Sequence, residues 1–221
     1  MFRPLQPAAA VLAVSLAAAA SAQPVLFDST GGTDGYLTSA HPYHQAGGGA
    51  DFTRDLVAKR FTLDTPAVLH AVEIPLYAHA GAPDAGVRVE IWADGPDGRT
   101  PAAPGLPALA ASADVPLASL GEGFAAFGFA PLHLEAGLGY WVVLTVTSGS
   151  SADTVRWGLT PAPSAADTPF AFSASGGFAF ADTSSPAIGN PALRVLGTPV
   201  PSPGAAGLLV AAAIAAAPRR R

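Results

Sequence analysis

Glycine and proline punctuate this chain too densely for a helical domain. Of its 221 residues, 24 are Gly and 22 are Pro. From residue 23 to residue 200 they gather with Asp and Ser into breaks, and the runs between the breaks are short and alternate apolar with polar residues. Period-two alternation puts successive side chains on opposite faces of a strand, whereas a core-facing helix needs apolar positions three and four apart. No sustained helical spacing occurs across this region. The pattern predicts an all-β domain, an antiparallel β-sandwich of jelly-roll-like form.

Val57 to Leu63 opens the expected strands, with Val57, Lys59, Phe61 and Leu63 on one face. Residues 68–77 set Val68, His70, Val72, Ile74 and Leu76 against Leu69, Ala71, Glu73, Pro75 and Tyr77. In the next strand Val87, Val89 and Ile91 share one face and Arg88, Glu90 and Trp92 the other. The turn residues Asp94-Gly95-Pro96-Asp97-Gly98 stop it. Residues 124–129, 140–147, 153–160, 170–173, 177–181 and 192–197 complete the set. Tyr140 to Thr147 is apolar on both faces at its centre, which marks a central strand. Pro101 to Pro107 reads as a surface loop. Gly31-Gly32 and Gly47-Gly48-Gly49 suggest a loose N-terminal approach, so the expected division is an approach at 23–54 and a sandwich at 55–199.

Both ends carry address signals. Residues 1–22 have the form of a secretory signal peptide: Arg3, an apolar stretch from Ala8 to Ala20, and the small-x-small site Ala20-Ser21-Ala22 with cleavage before Gln23. At the other end Pro201-Ser202-Pro203 precedes an apolar run from Gly204 to Ala217, then Pro218 and Arg219-Arg220-Arg221. As a helix this run reaches roughly 21 Å, short of the ~30 Å hydrocarbon core. It therefore suits transient insertion, with the arginines held on the cytoplasmic side.

The three-part order at 200–221 resembles a PEP-CTERM sorting signal, with Ser202 where the class name calls for Glu. The resemblance implies a membrane transpeptidase of the exosortase type as partner. It also implies a product released at the cell surface or joined to surface material beside exopolysaccharide. The body resembles a second family. Lys59-Arg60-Phe61-Thr62-Leu63, the strand ending Val72-Glu73-Ile74-Pro75-Leu76, Val87 to Asp94, and Leu134-Glu135-Ala136-Gly137-Leu138-Gly139-Tyr140-Trp141-Val142-Val143-Leu144 are similar to the choice-of-anchor R domain. That likeness implies an exported surface sandwich and brings no catalytic residues with it.

Charge narrows the partners. All 16 acidic residues lie between residues 23 and 200, against seven basic ones, so this segment carries a net −9. Such a surface repels phosphate backbones and argues against nucleic acid. Cys is absent, which excludes thiol catalysis and Cys-ligated zinc, and Lys59 is the single lysine. That lysine scarcity, beside ten arginines, reads as base composition of the gene.

Few residues point to chemistry. His41, His44 and Asp51 offer metal-ligand types, but in a Gly-rich segment without helical spacing, so a polar loop is expected. Asp94 and Asp97 admit calcium, yet the segment lacks the alternate oxygen ligands and distal Glu of an EF-type loop, and a plain turn is the default. Glu73, Glu90, Glu122 and Glu135 supply carboxylates for a glycosidase, with nothing to single out a pair. Trp92, on the polar face of its strand, is placed to stack on a sugar ring, with Tyr36 and Tyr43 as neighbours in the early loops; the alternative is that Trp92 closes the rim of the sandwich. Trp141 and Trp157 are expected in the core. The reading is a non-enzymatic exported sandwich without a catalytic or metal site, or alternatively a carbohydrate-binding module.

Overall fold

The fold was analysed in a computed structural model, which describes residues 23–32, 34–37, 45–47, 56–80, 86–102, 107–147, 154–160, 169–173, 181–182 and 190–201. Residues 1–22 and those beyond Pro201, where the signal peptide and sorting tail are expected, lie outside them, as do His41, Tyr43, His44, Asp51 and residues 177–180. Among the described residues no helix is long and apolar enough to cross a membrane.

The strands are β1 (Val25–Asp28), β2 (Gln45–Gly47), β3 (Leu56–Thr62), β4 (Ala67–Ala80), β5 (Gly86–Ala93), β6 (Ala110–Ala111) and β7 (Val115–Pro116). They continue with β8 (Gly123–Leu134), β9 (Gly139–Val146), β10 (Thr154–Trp157), β11 (Phe170–Ser173), β12 (Ala181–Asp182) and β13 (Arg194–Pro199). A 3-10 turn, Leu117–Ser119, separates β7 from β8. The chain is all-β, as its alternation predicts. Two antiparallel sheets face each other. One runs β1-β13-β4-β10-β2 with β8 on the other side of β4, and the second runs β12-β11-β3-β9-β5-β6 with β7 also on β5. From β3 onward the chain passes repeatedly from one sheet to the other, so most connections bridge the layers.

The core lies between the sheets. Val57 and Phe61 of β3, Val87, Val89 and Ile91 of β5, and Val142 and Leu144 of β9 enter it from one side. Leu69, Val72, Ile74 and Leu76 of β4, Phe127 of β8, Trp157 of β10 and Val195 of β13 enter from the other. The central position expected for Tyr140 to Thr147 is observed: β9 sits between β3 and β5, and it is buried along its length except at Thr145. Its outer side is covered as well. Leu56, Ala58, Trp92, Trp141, Val143 and Ala171 form a second apolar cluster there.

Two expectations are corrected. The simple alternation of residues 68–77 breaks at His70, where the register of β4 shifts against β8 and β13. The core positions are therefore Ala67 and Leu69, then Val72, Ile74 and Leu76, while Val68, His70 and Ala71 are only half-buried. A bulge of this kind leaves two residues facing one and resets the period of the strand. The described parts of the N-terminal approach are also strand-paired, not loose. β1 pairs with β13 from Val25 to Asp28, and the Ser29 N–H bonds the Leu193 carbonyl at 2.9 Å. β2 pairs with β10, so the sandwich begins well before residue 55.

Candidate functional site

Of the described side chains singled out from sequence, Trp92 and Tyr36 fall on the two outer faces of the sandwich. On the outer face of β5, Trp92 does not present an open ring: it is 6% exposed and packs with Trp141 directly across on β9. Its indole N–H donates to Glu90 Oε2 at 2.9 Å, and Glu90 pairs with Arg88 at 2.7 Å. Along the edge of β5 the N–H groups of Ala102, Leu109 and Ser112 donate to the carbonyls of Ala93, Ile91 and Val89. Ala108 packs against the Trp92 cluster. Trp92 is thus too buried to offer an open ring face for stacking, in keeping with the rim-closing alternative. Trp141 and Trp157 are both fully buried, as expected.

At the end of the same face Asp94 accepts from three donors. Arg60 Nε bonds Oδ1 at 2.9 Å, the Arg60 terminal nitrogen bonds Oδ2 at 2.6 Å, and the Trp141 indole bonds Oδ1 at 2.7 Å. The bidentate bond to Asp94 raises the Arg60 guanidinium above its ordinary value, against the opposing effect of burial. Asp97 instead accepts from the backbone N–H groups of Arg99 and Thr100 and from the Thr100 hydroxyl. These bonds, the Arg99 one foremost, hold its carboxyl below the ordinary range. The two carboxylates proposed for calcium therefore serve an ion pair and a turn. Among the described residues no three His, Asp or Glu side chains gather to hold a metal.

The outer face of the β4 sheet is different. After β1, the Asp28 carboxylate accepts from the Thr30 N–H and hydroxyl at 2.6 Å each and from the Gly32 N–H at 2.9 Å. This Asx turn throws the chain back across the sheet. Leu37 and Leu159 then exchange backbone hydrogen bonds of 2.9 and 2.8 Å. The crossing lays the Tyr36 ring on Gly158, where a Cβ would collide with it, and near Pro75.

Tyr36 meets Tyr77 at a centroid distance of 6.1 Å and Phe124 edge-on at 6.2 Å. Arg194 extends its guanidinium over Phe124, 4.3 Å from the ring centre. It also pairs with Asp34 at 2.8 Å, Glu73 at 3.7 Å and Asp28 at 3.9 Å. Burial first, then the charge of Glu122 and the neighbouring Tyr77, raise the Tyr36 hydroxyl above its ordinary value.

The result is an aromatic patch of half-buried Tyr36 and Phe124, beside Leu37 at 51% exposure and Asp34 at 92%. Ring faces next to carboxylates can pack against the apolar face of a sugar and accept its hydroxyls. The Arg194 charge is already shared among carboxylates, which leaves the patch a poor anion site. Sequence reasoning placed Tyr36 here in name only. It missed Phe124, Tyr77 and Arg194, because each is an ordinary strand residue until the sheet brings it to the patch. Glu73 and Glu90 stand on different sheets, each paired with an arginine. Glu135 is exposed, and its N–H bonds the Tyr140 hydroxyl. His70 lies 3.3 Å from the Thr198 hydroxyl at the bulge.

No family model matches the chain. No curated protein matches it either.

Proposed function

We propose that this chain is an exported, non-enzymatic β-sandwich of the choice-of-anchor type. In this reading a cleaved signal peptide and a processed PEP-CTERM-like tail deliver it to the cell surface or extracellular matrix. The observation that supports the processing is where the body ends. β13 finishes at Pro199, the Val200 N–H still bonds the Pro66 carbonyl at 2.8 Å, and Pro201 is exposed. A cut by an exosortase-type transpeptidase at Pro201-Ser202-Pro203 would remove the apolar run and arginines and leave every described strand in place. Intact mass of surface-extracted protein tests this. The expected product lacks residues 1–22 and ends near Pro201; a mature product that keeps Arg219-Arg220-Arg221 sinks the sorting reading.

A second reading is contact with surface polysaccharide, and the Tyr36 patch favours it over Trp92. A glycan-affinity screen should show retention that Tyr36→Ala weakens and that Trp92→Phe leaves alone. No retention by the wild-type protein removes this reading without touching the first.

A further inference from the structure

The sheet that carries the Tyr36 patch ends in an open edge. β8 pairs with β4 on one side and, among the described residues, with no strand on the other. The register shows which backbone groups that edge offers. The Gly158 N–H donates to the Pro75 carbonyl at 2.7 Å, so Pro75 turns its polar backbone towards the β10 side of β4. Its partner on β8 is Phe124. Opposed residues of an antiparallel pair turn their polar groups either both towards each other or both away. The N–H and carbonyl of Phe124 therefore point away from β4, and alternation repeats this at Ala126 and Gly128. Ala126 and Gly128 are exposed, and a Cβ built at Gly128 meets nothing within 4 Å. The bulge opposite His70 and Pro131, which has no N–H, end the flat run at its far side. What remains is Gly123–Phe129, centred on Ala126.

Long free edges are usually blunted by charged side chains. From Gly123 to Leu134 no residue is Asp, Glu, Lys or Arg, although the segment from 23 to 200 carries a net −9. We propose that β8 pairs with β8 of a second copy of this chain, antiparallel about a twofold axis at Ala126, and joins the two β4 sheets into one. An antiparallel edge is its own complement under such an axis. In this register Ala126 faces the second copy's Ala126, Phe124 faces its Gly128, Phe127 its Ala125 and Phe129 its Gly123. Each phenylalanine meets a small residue, and the ring opposite Gly128 covers the space left open there. The missing charge matters as much, because two acidic copies repel wherever their carboxylates meet. A strand that only received foreign peptides would need neither the internal matching of large with small nor its centring on one residue.

Sedimentation equilibrium of the purified protein over rising concentration tests this. The mass should double for the wild type and stay that of one chain for Ala126→Lys, whose exposed position leaves the monomer's unfolding midpoint unchanged. Ala126→Glu should also stay single, and an equimolar mixture of the two variants should recover the doubled mass, because the opposite charges then meet across the axis. Amide exchange of the wild type gives a readout that needs no variant. The N–H groups of Phe124, Ala126 and Gly128 should exchange more slowly at high concentration, and those of Ala125 and Phe127, which face β4, should not change. A wild type that remains single, a doubled mass that survives Ala126→Lys, a mixture that fails to pair, or exchange at these three sites that ignores concentration each overturns the proposal.

Discussion

The Asp94 carboxylate occupies the space that a side chain at Gly139 would need. A Cβ built there collides with Asp94 Oδ2 and with the Arg60 terminal nitrogen. The Asp94 N–H in turn donates to the Gly139 carbonyl at 3.1 Å. One glycine at the start of β9 therefore makes room for the ion pair that closes this end of the sheet. Gly139→Ala should force the pair apart and cost about 2–3 kcal/mol, in the range of overpacked sites. A denaturant midpoint equal to wild type would show that the cluster yields without cost.

The three bonds to Asp94 set a graded prediction. Asp94→Ala leaves the Arg60 guanidinium and the Trp141 indole N–H without their acceptor, in a cluster where Arg60 and Asp94 are only about one-fifth exposed. The expected loss is about 2–3 kcal/mol. Asp94→Asn keeps an acceptor for Trp141 but removes the charge, so it should cost less. Equilibrium unfolding of both variants checks the order, and equal losses contradict it.

Trp157 adds a separate test in the main core. Its indole donates to the Ala192 carbonyl at 2.5 Å while the ring is fully buried. Trp157→Phe keeps an aromatic ring in the core and abandons that carbonyl, so it should destabilise by about 1–3 kcal/mol. The unfolding curve should shift in midpoint and keep its slope.

Tyr36 gives an alkaline signature. Its hydroxyl titrates above the ordinary tyrosine value of 10.0. The neutral ring is thus favoured in the folded state, and the stability it contributes is complete below the unfolded value. That contribution is lost as pH rises through the higher folded value. Phenolate absorbance should place the Tyr36 transition above 10.0. Glu122→Gln should move it towards the ordinary value, and an unmoved titration would exclude Glu122 as a cause.

Asp97 titrates in the opposite sense. Its carboxyl is held low by the N–H groups of Arg99 and Thr100 and the Thr100 hydroxyl, so its contribution is present above the unfolded value. It is lost as pH falls through the lower folded value. Side-chain carboxyl NMR should place the Asp97 midpoint below that of a free Asp, and Thr100→Ala should raise it.

Lys59 shows how far sequence patterning reached. Its place on the face shared by Val57 and Phe61 followed from alternation alone. That Lys59 is fully buried, and that its Nζ bonds Asn190, did not, because the partner lies beyond nine intervening strands. The Tyr36 patch shows the same limit. Asp28, Asp34, Glu73 and Arg194 are scattered polar residues in sequence, and the β1-β13-β4 pairing collects them. Trp92 failed for a related reason: alternation assigned its face correctly but could not show that this face is itself buried in a second apolar cluster.

Local chemistry written along the chain determined that it would form short antiparallel strands, where the turns would fall, and that residues 140–147 would be central. Period-two spacing and Gly-Pro-Asp breaks act within a few residues and need no distant partner. Only the tertiary structure decided the strand order, the bulge at His70, the burial of Trp92 and the meeting of Lys59 with Asn190. Each of those depends on which distant backbone supplies the neighbouring hydrogen bonds, and that choice is made by the packing of the whole sandwich.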